Sequence, residues 1–249
     1  MPLFRSESII LRSYSLSEAD KIVVLFTRDR GIVRGVAKGA KRLKSRFGSS
    51  LEPFSVANVE YFEKEHSELA TIRSAEIERS HFLEAAVPDH LAVFSNIAEL
   101  LIAFSPPHDP NEMLYRMLKA CLASGADSPG SLAAVSVYFK LWLLRLGGYL
   151  PDWSKCHACG REFATNEPAN LTGGWHLICT TCSRPGVGLR VEPKVRETFF
   201  SIQKLPPAEF AVAKRPDAGS LAELSAILER LVTSVLGIER APAYSYEKS

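Results

Sequence analysis

Two groups of residues in this chain carry chemistry. Four of its five cysteines stand in tight pairs, Cys156-His157-Ala158-Cys159-Gly160 and Cys179-Thr180-Thr181-Cys182, with 19 residues between the pairs. Two thiolates three positions apart on a turn can face one centre, and a second such turn completes a tetrahedral set at about 2.3 Å per bond. The spacing predicts one zinc ion held by Cys156, Cys159, Cys179 and Cys182. Four thiolates leave no open coordination position, so the expected ion is structural. Such sites release on the order of 10–16 kcal/mol on binding, enough to fold a loop-rich insertion with little core. Four free buried cysteines are the competing reading. A redox CxxC leaves the second pair without a role. His157 and His176 are substitute ligands in principle, but four cysteines suffice, and both are read as surface residues.

The second group is a run of cations. Residues 28–46 hold Arg28, Arg30, Arg34, Lys38, Lys41, Arg42, Lys44 and Arg46 against the single acid Asp29. That is +7 within 19 residues; the whole chain is only +2, so the other 230 carry a net −5. Charge segregated this far points to a polyanion. The bland alternative is a solvated charged face. Gly31, Gly35 and Gly39 would let phosphates approach the backbone, and Phe47, Phe54, Tyr61 and Phe62 are candidate stacking faces. Phospholipid is the lesser reading, because no amphipathic helix adjoins the run.

Catalytic patterns are scarce. GxSxG, HExxH, GxGxxG and GxxxxGK[ST] are all absent. His66-Ser67-Glu68 matches the HxE of zinc nucleobase deaminases, with a later CxxC to complete the signature. That signature wants proline before its first cysteine, where Lys155 stands, and it leaves Cys179 and Cys182 unused. The chain is therefore read as no enzyme.

These groups need elements to position them. The first 80 residues read as strands over 7–14, 21–28, 31–37, 55–63 and 68–78, with Asp29-Arg30-Gly31 and His66-Ser67 as tight links. Five short strands with a longer insertion over 38–54 fit an OB-type barrel. A generic small barrel or half-open sheet fits nearly as well. Beyond residue 80 the pattern turns helical. Asp89 opens a helix over 90–104 that Pro106-Pro107 ends. Asp109-Pro110-Asn111-Glu112 reads as cap, first-turn proline and returning glutamate, and Ser128-Pro129 starts a helix stopped by Gly147-Gly148. Residues 191–236 read as helical again, with a Ser220/Glu223 capping box. There Leu221, Leu224, Ile227, Leu228, Leu231 and Val235 form a core stripe. Met113, Met117 and Cys121 are also placed in the core, and the final dozen residues are expected to fray.

The expected organisation is α+β: a five-stranded OB-type β-barrel over 1–80, a helical domain over 81–150 and 191–249, and a zinc-ribbon-like module inserted at 151–190. Ordinary composition, 46% hydrophobic and 23% charged, excludes wholesale disorder and fibrous repeats. The longest apolar run near the N-terminus, Ile9-Ile10-Leu11, is too short for a secretory signal. Lys140 and Arg145 interrupt the best candidate membrane span, 132–146. A cytoplasmic protein with no membrane partner is expected.

Several segments resemble the bacterial recombination mediator family RecO. They are Ser8-Ile9-Ile10-Leu11-Arg12, Glu18 to Thr27, Ala37-Lys38-Gly39-Ala40-Lys41-Arg42, Lys44-Ser45-Arg46-Phe47, and Leu146 to Pro151 leading into CxxCG. The resemblance spans nearly the whole chain in order. It implies binding of single- and double-stranded DNA in the nucleoid and annealing of complementary strands. It also implies partnership with RecR and single-stranded DNA-binding protein, to load RecA in repair and homologous recombination. The near-neutral Glu239-Arg240-Ala241-Pro242 departs from the basic tail of many relatives. Without the resemblance, an RNA-binding or transcription-associated barrel with a zinc ribbon is the alternative.

Overall fold

The computed structural model describes residues 2–63, 67–81, 87–124, 129–184, 188–212 and 217–237. Five strands come first: β1 Leu3–Ser15, β2 Lys21–Thr27, β3 Gly31–Ala37, β4 Ser55–Phe62 and β5 Ala70–Ser80. Strand β1 is hydrogen bonded along one edge to β2 and along the other to β4. β5 runs antiparallel to β4 and meets β3 in parallel through Gly35–Ala70 and Val36–Thr71. The order β1-β2-β3-β5-β4 therefore closes into a barrel. A register shift between Ile10 and Arg12 bends β1, and its two halves thereby serve two neighbours.

The strands' alternating residues fill the barrel: Ile10, Val23, Leu25, Val33, Val59, Tyr61 and Ile72 form its core. The 38–54 connection contributes Phe47 and Leu51 to the same cluster. β2 buries its other face too, where Phe26 meets Tyr115 at 5.8 Å between ring centres.

The helices are α1 Pro88–Phe104, α2 Glu112–Ser124, α3 Pro129–Leu146, α4 Pro193–Lys204, α5 Pro207–Val212 and α6 Ala218–Val235. Between α3 and α4 lie three short strands, β6 Ala169–Leu171, β7 Leu177–Cys179 and β8 Leu189–Val191, in the order β7-β6-β8. By contact the chain falls into two compact units, Met1–Phe139 with Leu205–Arg215, and Lys140–Lys204 with Pro216–Ser249.

In the first unit α1 and α2 are tied to the barrel by charge as well as packing. The Tyr115 hydroxyl donates to Glu7 at 2.9 Å, and the Lys119 ammonium bridges Glu7 at 3.0 Å and Glu78 at 2.9 Å. Arg12 pairs with Glu99 at 2.8 Å, and Phe54 packs edge-on against Phe94. In the second unit α4 packs on α6, Lys140 reaches Glu229 at 2.8 Å, and Trp153 stacks on Phe199 at 4.4 Å.

Helix starts differ from the sequence expectation. α2 begins at Glu112, with the Asn111 side chain accepting from the Leu114 N–H, so Asn111 rather than Asp109 is the cap. α1 has proline in its first turn and no side-chain cap, leaving Asp89 inside the helix. The cap of α6 is Asp217, which accepts from the Ser220 N–H, so Ser220 lies in the first turn. The 191–236 stretch, read as helical, holds α4, α5 and α6, with its first residue Val191 in β8 and Pro206-Pro207 ending α4. Met113 is 61% exposed, since the buried face of α2 runs through Leu114, Tyr115, Met117, Leu118 and Cys121. Ser128, His66 and the final segment 238–249 lie outside the described residues.

Candidate metal centre and nucleic-acid interface

The four paired cysteines converge. Sγ of Cys156, Cys159, Cys179 and Cys182 all lie within 4.8 Å of one another, and the cluster includes neither His157 nor His176. Tetrahedral edges for metal–sulfur bonds of 2.3 Å run about 3.8 Å, so the set fits a single divalent ion with little adjustment. Local hydrogen bonds build both knuckles. The Gly160 N–H donates to the Cys156 carbonyl at 2.8 Å, and the Cys182 N–H to the Cys179 carbonyl at 3.1 Å. The Cys179 N–H donates to Cys156 Sγ at 3.3 Å, which joins the two turns. Cys179 ends β7, and the ladder from Ala169 fixes its position. His157 and His176 stack face to face at 4.0 Å beside the centre.

The electrostatics suit a cation. Burial alone would raise the Cys156 thiol, but N–H groups of Cys179, Cys159 and Ala158 outweigh it and bring Cys156 down to about 6. Cys182, hydrogen bonded to Cys179 and Cys159, is pushed up to about 12. Four thiolates cannot all ionise side by side unless a positive ion offsets them. Around them, Arg161 forks onto Glu167 at 2.6 and 2.8 Å. That arginine holds the Glu167 carboxyl down at about 2. From α4, the buried Arg196 donates to the carbonyls of Ala164 and Glu167 at 2.8 and 2.6 Å and lies over the Phe163 ring. The loop between the knuckles is thus clamped from two sides. With all four cysteines in one cluster, a deaminase pairing of the first CxxC with the HxE has no support; His66 itself lies outside the described residues.

The cationic run spans the turn after β2, all of β3 and the following loop. Every one of its eight cations is exposed except Arg30, which is half-buried. Two are already balanced. Arg28 forks onto Glu112, and Arg30 pairs with Glu63 at 3.2 Å while covering the Phe4 ring at 4.0 Å. Arg34, Lys38, Lys41, Arg42, Lys44 and Arg46 have no carboxylate partner among the described residues; Lys41 donates to the Ser17 carbonyl, a neutral group, at 2.9 Å.

Two expectations about this surface are corrected. Gly31 is required by the fold: at φ +64° a Cβ there would lie 2.2 Å from the Asp109 carbonyl oxygen. A Cβ on Gly35 would strike the Ile72 side chain at 2.5 Å. Those close approaches are made by the chain itself. The proposed stacking rings fare similarly: Phe47 and Tyr61 are buried in the barrel core, Phe54 is buried against Phe94, and Phe62 is half-buried. Tyr14, near the end of β1, is an exposed ring of the barrel, its hydroxyl accepting from Arg12 at 3.2 Å. Asp20 was also missed: its carboxylate accepts from the Gly39 N–H at 2.8 Å and staples the loop. In sequence its signal is only an acid just before a strand.

Comparison with known proteins follows the same two parts. The family model described as Recombination protein O N terminal matches residues 1–81, and Recombination protein O C terminal matches 87–241. A DNA repair protein RecO from Koribacter versatilis is 40% identical over 161 residues, 64% of this chain and 65% of that protein. One from Rubrobacter xylanophilus is 34% identical over 85% of each chain. One from Nocardioides sp. is 31% identical over 96% of this chain and 100% of its own.

Proposed function

The chain belongs to the RecO family, and from that premise we propose that it is a non-enzymatic mediator of DNA repair and recombination that binds DNA through its cationic loop. The observation that carries the reading is the set Arg34, Lys38, Lys41, Arg42, Lys44 and Arg46, exposed together without carboxylate partners among the described residues. Lysine and arginine held to phosphates give affinity with little sequence preference. Strand annealing then follows physically, because neutralised phosphates let two strands approach while their bases stay free to pair. The strand order, with its parallel β3–β5 contact, supports an OB-type barrel as the scaffold. Zinc is the ion that four thiolates favour, in a closed site that cross-links the second unit. Partnership with RecR, single-stranded DNA-binding protein and RecA rests on the family, as does a cytoplasmic, nucleoid-associated location. No helix among the described residues is long and apolar enough to cross a membrane.

The test is annealing of complementary oligonucleotides coated with single-stranded DNA-binding protein, at two salt concentrations. The native protein should accelerate annealing less at high salt, and a Lys41→Ala/Arg42→Ala variant should lose most of the acceleration. Binding without acceleration, or preference for matched RNA strands, would move the protein to a generic nucleic-acid module. No binding at all would leave the charge run as a solvated face.

A further inference from the structure

We propose that Leu43 is an apolar wedge that enters the base stack of the strand whose phosphates its neighbours hold. The proposal rests on the nucleic-acid reading of the loop. Leu43 is 103% exposed, whereas the next most exposed large apolar side chain among the described residues, Met113, reaches 61%. Scattered surface leucines need no explanation, but they ordinarily lie partly against the surface that carries them. This one touches nothing that would shelter it.

The loop's construction keeps Leu43 out. The Ser45 N–H donates to the Arg42 carbonyl at 2.9 Å, which makes Leu43 and Lys44 the central pair of a tight turn. The preceding turn closes with the Arg42 N–H on the Gly39 carbonyl at 3.1 Å. Gly39 is stapled to Asp20, the Lys41 N–H donates to the Ala19 carbonyl at 2.9 Å, and the Lys41 ammonium holds the Ser17 carbonyl. Downstream, Phe47 and Leu51 are sunk in the barrel core. A tip anchored on both sides cannot fold back to cover its leucine. Central turn positions are ordinarily filled by polar residues or glycine, so an apolar one held in water points to a ligand that will cover it.

The flanking charges say what that ligand is. Arg42 and Lys44 adjoin Leu43 and are exposed, as are Lys38, Lys41 and Arg46. The partner must offer anionic groups on either side of a narrow apolar slot. A nucleic-acid strand does so, with phosphates outside and base faces within. Apolar side chains are known to enter such steps and unstack them. An anionic membrane also offers charge above an apolar layer, but one leucine supplies far less apolar area than membrane anchoring needs.

The experiment uses full-length protein and a single strand carrying one 2-aminopurine, whose fluorescence rises when it is unstacked. Saturating native protein should raise the signal about twofold or more, and Leu43→Ala should remove at least about half of that rise. The salt dependence of binding and the thermal midpoint should not change in Leu43→Ala, because the side chain makes neither phosphate nor packing contacts. Lys41→Ala/Arg42→Ala should instead weaken binding itself. Binding without a rise, or an equal rise with Leu43→Ala, overturns the wedge alone. Failure of the native protein to bind the strand overturns the nucleic-acid reading and the wedge with it. Leucine-dependent sedimentation with phosphatidylglycerol vesicles, without the fluorescence change, would overturn it in favour of a membrane contact.

Discussion

At the scale of single residues, the cysteines divide the work unevenly. Cys156 and Cys179 are buried, and backbone N–H groups aimed at them favour their thiolates; Cys159 and Cys182 are exposed and close the set from outside. Removing one of the inner pair leaves three thiolates and a cavity at the module's centre. Cys179→Ser should therefore lower bound zinc from about one per chain to a small fraction. It should cost about 4 kcal/mol in the second unit, which it cross-links, a drop on the order of 16–32 °C in that unit's thermal midpoint. DNA affinity should change little. Zinc content by emission spectrometry, beside a melting curve, checks both, and undiminished zinc would refute the four-cysteine site.

At the scale of elements, α2 is bound to the barrel by a compact charged network as much as by apolar contact. Burial would raise the Glu7 carboxyl, but the Lys119 ammonium and the Tyr115 hydroxyl outweigh it and hold it below its ordinary value of 4.5. A carboxyl lowered on folding contributes stability that is full above its unfolded pKa and fades as pH falls through the lowered folded value. Acidification from pH 6 to pH 3.5 should therefore loosen the unit that holds the barrel and α2, with the loss beginning near pH 4.5. Glu7→Gln should cost about 1–2 kcal/mol at neutral pH, discounted for partial exposure, and should flatten the acid dependence. Urea unfolding at pH 7 and pH 4 measures both effects. An unchanged acid slope in the variant would remove Glu7 from the account.

At the scale of the whole molecule, a nearly neutral chain carries one strongly positive segment, so its long-range field is that of a local patch. Six of the eight cations lack carboxylate partners among the described residues; engaging all six on single-stranded DNA should give a log–log salt slope no steeper than about −4.2. Engagement of all eight would give about −5.6, which requires DNA to displace Glu112 from Arg28 and Glu63 from Arg30. Fluorescence anisotropy across a salt series distinguishes the two, and a slope near zero would dismiss the loop as a DNA contact.

Much of this was legible in the linear sequence, because its signals are local. The β-branched runs marked all five barrel strands to within a few residues, since alternation and turn residues are properties of neighbours in the chain. CxxC spacing likewise named the four sulfurs that converge, because the turn that aims each pair is itself local. What tertiary structure alone decided were matters of partnership. Phe47 and Tyr61 look like stacking rings until the barrel closes over them, and Phe54 until Phe94 covers it. Arg28 and Arg30 look free until α2 brings up Glu112 and the end of β4 brings up Glu63. Gly31 and Gly35 look like phosphate seats until Asp109 and Ile72 occupy the space. Leu43 reads as one more apolar residue until the loop is seen stapled with its tip in water. Periodicity states which side of its own element a residue takes; only the packed chain decides what stands opposite, and burial and charge balance depend on that.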